Sequence, residues 1–184
     1  GATPLTTTAP GPLSAVPRRI ASVVPSMAST APTAAPPTAT LFPHGVEVDI
    51  MPDGELDFDD ELLERFDIVL ASLHMAGSDD DQQLTERYLR AIRHPLVNVI
   101  THPANRSPAR TDGYRLDFDR LFAAAAETGT AMEIDGAPGH LDMDGELARK
   151  AVAAGVTVTT DSDCHRLAAL ARQMEFGIGT ARRG

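Results

Sequence analysis

The sequence contains no tryptophan, a single cysteine, and an aromatic content of 4%. A core built from it must be aliphatic, made of Val, Ile, Leu and Ala. With Cys164 alone, an internal disulfide is excluded, and the acids beside it disfavour a reactive thiolate. No apolar run approaches the roughly 18 to 20 residues that cross a bilayer, and no basic segment followed by an apolar one opens the chain. A cytoplasmic protein is the expectation. Neither a Gly-x-Gly-x-x-Gly nor a phosphate-loop pattern follows any apolar run, and Gly177-Ile178-Gly179 is too short to serve, so nucleotide binding by those routes has no support.

Acids and histidines are missing from the first part of the chain. Residues 1–43 hold nine of the 14 prolines, the basic pair Arg18 and Arg19, and neither acid nor histidine. Ala, Thr, Pro and Ser in near-random order offer too little apolar surface to offset ordering entropy, so this segment is expected to be disordered. Its composition also suits out-of-frame translation of a GC-rich gene or an incomplete gene model. Beyond residue 43 there are 14 basic and 26 acidic side chains, which argues against a high-affinity nucleic-acid platform. The 184 residues accommodate one domain, over 44–184, and this preceding segment.

From Gly45 onward the pattern is regular. Val46–Ile50, Asp67–Leu73, Leu96–Thr101, Thr130–Ile134 and Val156–Thr160 read as β-type runs, with Glu175–Gly179 as a last strand. Helices are predicted over Asp57–Phe66, Leu84–Arg93, Asp117–Thr128, Asp144–Ala154 and Arg166–Met174, with an acidic loop at Met75–Gln82. Such alternation predicts an α/β fold of the parallel barrel type, with a doubly wound sheet as the alternative.

An acid or histidine recurs in or just after each apolar run. Glu47 lies between Val46 and Val48, His74 follows Val69–Leu73, His102 follows Val97–Thr101, and Asp163 and His165 follow Val156–Thr160. In a barrel these positions converge at the C-terminal strand ends, where carboxylate and imidazole side chains can hold divalent cations. Each has a structural alternative: a solvated turn for Asp163 and His165, a buried hydrogen-bonded imidazole for His74 and His102, an edge residue for Glu47. His94 before Pro95 reads as a helix cap, and His140 as an exposed loop residue. Glu133 and Asp135 face one side of a strand and suit supporting roles, and Asp161 suits orienting His165. Arg106 is placed to fork onto a phosphate.

Gly45-Val46-Glu47-Val48-Asp49-Ile50 with Pro52-Asp53-Gly54, Ala71-Ser72-Leu73-His74, Thr101-His102-Pro103, Asp163-Cys164-His165 and the closing Phe176-Gly177-Ile178-Gly179-Thr180-Ala181-Arg182-Arg183-Gly184 resemble the PHP (polymerase and histidinol phosphatase) domain. The order and ending are most similar to the C-terminal PHP domain of bacterial and archaeal family X DNA polymerases, over Gly45–Gly184. The resemblance implies a distorted seven-stranded β/α barrel holding three divalent metals, Mn or Zn, that hydrolyse phosphate esters. It implies Glu47, His74, His102, Asp163 and His165 as metal ligands, with Glu47 and Asp163 in the catalytic centre. It further implies a 3′-5′ exonuclease or 3′-phosphatase acting on DNA 3′ ends in DNA repair, with a polymerase domain in full-length relatives. Histidinol phosphatase activity and a non-catalytic remnant are the rivals. The family's opening His-x-His and Asp-His strands have no counterpart in residues 1–43, Asp135 stands where Asn is usual, and Cys164 where Ala is common. A partial barrel, weak metal binding and self-association through open strand edges are the expectations that follow.

Overall fold

The computed structural model describes residues 43–77, 79–108 and 110–184. The expected disorder of residues 1–43 therefore falls, but for its last residue, outside the described residues. Five parallel strands, β1 (Gly45–Asp49), β2 (Ile68–Ser72), β3 (Val99–Ile100), β4 (Ala131–Asp135) and β5 (Val158–Asp161), form one sheet in the order β1-β2-β3-β4-β5. Helices α1 (Asp60–Leu63), α2 (Asp81–Arg93), α3 (Phe118–Thr128) and α4 (Gly145–Ala153) make the crossovers, and α5 (Leu170–Arg183) follows β5. The fold is mixed α/β. Its strand order never reverses among the described residues, whereas a doubly wound sheet reverses at its switch point.

The register assigns each strand residue to a face. Val48, Ala71, Ile100, Met132 and Val158 are partners across the sheet. They belong to one apolar cluster with Leu63, Tyr88, Leu89, Ile92, Leu121, Phe122, Ala148 and Ala151 from the helices. Side chains alternate along a strand, so Glu47 and Asp49, Ser72, Glu133 and Asp135, and Thr159 and Asp161 share the opposite face, with Thr101 beyond β3 in line with them. One face is thus apolar and helix-covered, and the other grows polar toward the C-terminal strand ends.

Local chemistry sets the helix limits. At α2 the Asp80 carboxylate accepts the Gln83 N–H while the Gln83 side chain accepts the Asp80 N–H, a capping box that extends the helix to Asp81, earlier than its apolar periodicity predicts. At α3 and α4 the Asp117 and Asp144 side chains accept the N–H groups of Arg120 and Leu147, simple caps with no reciprocal side-chain bond, and Gly129 ends α3 in the left-handed region. His94 is the C-cap of α2, as its place before Pro95 predicts. In the Asp57–Phe66 segment only one helical turn forms, capped by Asp59. Regular pairing in β3 starts at Val99 because the Asn98 side-chain oxygen takes the Val69 N–H at 2.8 Å.

The expected strand at Glu175–Gly179 is not one: those residues lie inside α5. Packing overrides the poor helix propensity of two glycines here. A Cβ at Gly177 would lie 2.6 Å from Thr160 Cγ2, so glycine lets α5 close onto β5. None of the described helices is long and apolar enough to cross a membrane.

Candidate metal centre

Three of the predicted ligands come together. Glu47 lies on β1, His74 two residues past β2, and His102 two residues past β3. Glu47 Oε1 is 3.4 Å from His102 Nε2 and 3.8 Å from His74 Nε2, and one ligand atom from each residue falls within 4.8 Å of the others. The imidazole centroids are 5.2 Å apart. Two nitrogens and a carboxylate oxygen at this spacing suit a divalent transition-metal cation.

Neighbouring groups fix how the lone pairs point. His74 Nδ1 is 2.5 Å from Asp49 Oδ1. An Nδ1–H donated there leaves Nε2 unprotonated and facing Glu47, the carboxylate-histidine arrangement that orients metal ligands. Asp49 was not foreseen as part of the site, although its spacing from Glu47 on a strand carries the signal. Thr101 Oγ1 donates to Glu47 Oε1 at 3.3 Å. The hydrogen bond from His102 depresses the Glu47 pKa to about 2 against some loss of solvation, with further help from Ser72 and His74. Glu47 is therefore anionic at any physiological pH. Burial pulls the His102 pKa down, but the bond and charge of Glu47, with Asp142 and Asp135, outweigh it and hold the pKa above the ordinary histidine value.

His102 has φ 28°, in the left-handed region that non-glycine residues seldom occupy. Its N–H donates to Glu133 Oε2 at 2.8 Å, so a buried carboxyl anchors this turn. Burial, followed by contact with Asp161, pushes the Glu133 pKa above neutrality, and burial raises Asp135 to about 7 and Asp142 to about 6. Asp142 accepts the N–H groups of Ala104 and Arg106, each at 3.2 Å. Asp135 Oδ1 accepts the Ala137 N–H at 2.6 Å, while its Oδ2 and His102 Nδ1 are buried without a partner among the described residues. Glu133 and Asp135 thus lie on the polar face of β4, as their strand spacing predicts.

Asp163 and His165 do not join the cluster. Asp163 sits past β5 with φ 39°, and His165 Nδ1 lies 3.0 Å from the Asp163 carbonyl oxygen, its side chain mostly exposed. Both line a cavity of about 320 Å³ with Ala137, Gly139, His140, Arg166 and Gln173. His140, expected to be exposed, is half-buried instead, with its ring centroid 6.0 Å from that of His102. The loop after β4 folds back, with His140 N–H bonded to the Ala137 carbonyl, and sets this imidazole between the two groups. Arg106 donates through Nη1 to Asp144 Oδ2 at 2.9 Å, which ties it to the cap of α4.

No protein-family model matches the chain. Over 140 residues it is 39% identical to the DNA polymerase/3′-5′ exonuclease PolX of Bacillus subtilis, covering 76% of this chain and 24% of that protein. The resemblance to the PHP domain of family X polymerases stands. A probable phosphatase of Thermoanaerobacter sp. is 35% identical over 131 residues, covering 66% of this chain and 51% of that protein. A probable phosphatase of Shewanella oneidensis matches at 35% over 131 residues, covering 66% and 50%. The PHP-like chain thus spans about a quarter of the polymerase and half of the phosphatases. Phosphoesterase-type chemistry is common to these relatives' names.

Proposed function

We propose that residues 44–184 form a metal-dependent phosphoesterase unit, an arc of a PHP-type barrel with its active centre at the C-terminal strand ends. The observation that carries this reading is the Glu47, His74 and His102 group, drawn from three successive strands to within 4.8 Å. The unreversed parallel order and the gathering of helix side chains on one sheet face suit a barrel wall. Glu47, His74 and His102 would hold one divalent cation, and Asp163 and His165 would supply ligands on the β5 side, with Glu47 and Asp163 central to catalysis. A divalent cation in such a place supplies Lewis acidity toward a phosphoryl oxygen and an acidified water.

The chain's own residues prepare that chemistry. Asp49 sets the His74 tautomer, Glu133 holds the His102 backbone, and Thr101 orients Glu47. Arg106, tethered by Asp144, stands on the loop beyond His102 as a phosphate contact. The preferred substrate is a DNA 3′ end, cleaved as a 3′-5′ exonuclease or 3′-phosphatase, supported by the higher identity to the B. subtilis polymerase/exonuclease. The probable phosphatases favour a second reading, a small-molecule phosphatase.

Metal content by mass spectrometry, combined with hydrolysis of a 3′-labelled single strand and of histidinol phosphate, tests the proposal. Mn- or Zn-dependent cleavage of the strand, abolished in Glu47→Gln and His102→Ala, is expected. Cleavage of histidinol phosphate alone would favour the second reading, and stoichiometric metal without turnover of any phosphate ester would refute both.

A further inference from the structure

The loops leaving β3 and β4 enclose a cavity of about 610 Å³, lined by Arg106, Arg110, Asp112, Tyr114, Phe118 and Asp144 among others. It begins two residues beyond His102, at Ala104, on the same end of the sheet as the metal centre. Its size falls in the range of about 300–1,000 Å³ typical of small-molecule sites. Hydrogen bonds preform its walls. The Asp142 carboxylate takes the N–H groups of Ala104 and Arg106, joining one loop to the other, and the Tyr114 N–H closes on the Ala104 carbonyl at 2.7 Å. Gly113, at φ 88°, permits that closure, since a Cβ there would meet Arg106 N at 2.9 Å.

The lining decides what fits. In a chain with 4% aromatic residues, Tyr114 and Phe118 both stand half-buried at this cavity. Two carboxylates offset the two guanidinium groups, and Arg106 is already paired with Asp144. A lining without net charge is a poor trap for a bare phosphate. It suits a flat aromatic ligand that stacks on a side-chain ring and donates amino or imino hydrogens to the Asp112 carboxylate, with Arg110, which has no ion pair among the described residues, for a backbone phosphate. Those are the features of a nucleobase in a single strand.

Building on the phosphoesterase reading above, we infer that the Tyr114/Phe118/Arg110 cavity binds a nucleobase of a single-stranded polynucleotide whose scissile phosphate lies at the neighbouring metal centre. Tyr114 and Phe118 present stacking faces, Asp112 accepts from the base edge, and Arg110 meets the backbone. The cavity then selects polynucleotides over small phosphate esters.

Fluorescence polarisation of a short labelled single-stranded oligodeoxynucleotide, with the full chain and EDTA present, reads binding without turnover. Tyr114→Leu, which keeps an apolar side chain, and Arg110→Gln at the exposed edge should each weaken binding about tenfold. An abasic strand of equal length, retaining every phosphate, should bind the unaltered protein about tenfold less well than the normal strand. Equal binding of abasic and normal strands would overturn the inference, as would a Tyr114→Leu variant whose hydrolysis of a small phosphomonoester falls in the same proportion as that of the strand. Hydrolysis of small esters with no strand binding would remove the base site and leave the phosphoesterase reading standing. Strand binding with no hydrolysis of any ester would do the reverse.

Discussion

Replacing Glu133 by Gln should stabilise the metal-free protein, increasingly so as pH rises. Glu133 is 2% exposed, accepts the His102 N–H, and lies within hydrogen-bonding reach of Asp161. Burial, followed by the Asp161 contact, keeps its carboxyl protonated in the folded chain at neutral pH, while in the unfolded chain it ionises near its ordinary value of 4.5. The folded state therefore binds one proton more than the unfolded state between those limits. A carboxyl with a raised folded pKa favours folding fully below the unfolded value, and that contribution is lost as pH climbs. The slope is about 1.4 kcal/mol per pH unit, or about 3 kcal/mol between pH 5.5 and 7.5. The Gln side chain reproduces the acceptor toward His102 and the donor toward Asp161 without titrating. Urea unfolding of both proteins in EDTA at those two pH values reads the difference. A Gln variant whose advantage stays constant with pH, or which is less stable at pH 7.5, would refute the assignment of a protonated, buried Glu133.

Three further outcomes are expected. Asp49→Asn should lower zinc affinity about 10- to 100-fold while leaving the apo melting curve in place, because it loosens the His74 tautomer and not the fold; a competition titration with a chelating dye checks it. Gly136→Ala should cost several kcal/mol and free α5 from the sheet, since its Cβ would fall inside the Gln173 carbonyl oxygen and 2.8 Å from that of Asp161; helical signal and thermal unfolding measure the loss. Asp80→Ala removes the capping box of α2 and should destabilise by about 1 kcal/mol at neutral pH, read from a chemical denaturation midpoint.

Much of the α/β framework could be read from residue patterns because a β-branched run and a capped amphipathic helix are both local signals. Glu47, His74 and His102 could be singled out for the same reason, Glu47 lying within such a run and each histidine just after one. What escaped depended on contacts made at long range. Gly177 looks like a breaker until β5 is placed beside it. The position of His140 rests on a loop that folds back through its own hydrogen bonds, and a histidine flanked by Gly139 gives no sign of that. The separation of Asp163 and His165 from Glu47, His74 and His102 is set by the intervening strand β4, whose Glu133 and Asp135 fill the polar face between them. No one-dimensional spacing encodes that distance.

The order of strands along the sheet has a consequence for how the protein is made. Each strand pairs with the one synthesised just before it, so the ribosome can release βα units that dock in turn without waiting for a distant partner. Glu47, His74 and His102 all precede β4, and the nascent chain carries that group while residues 131–184 are still being translated. Glu133, which accepts the His102 N–H, arrives only with β4, so the anchor of that turn is added after the three side chains it steadies.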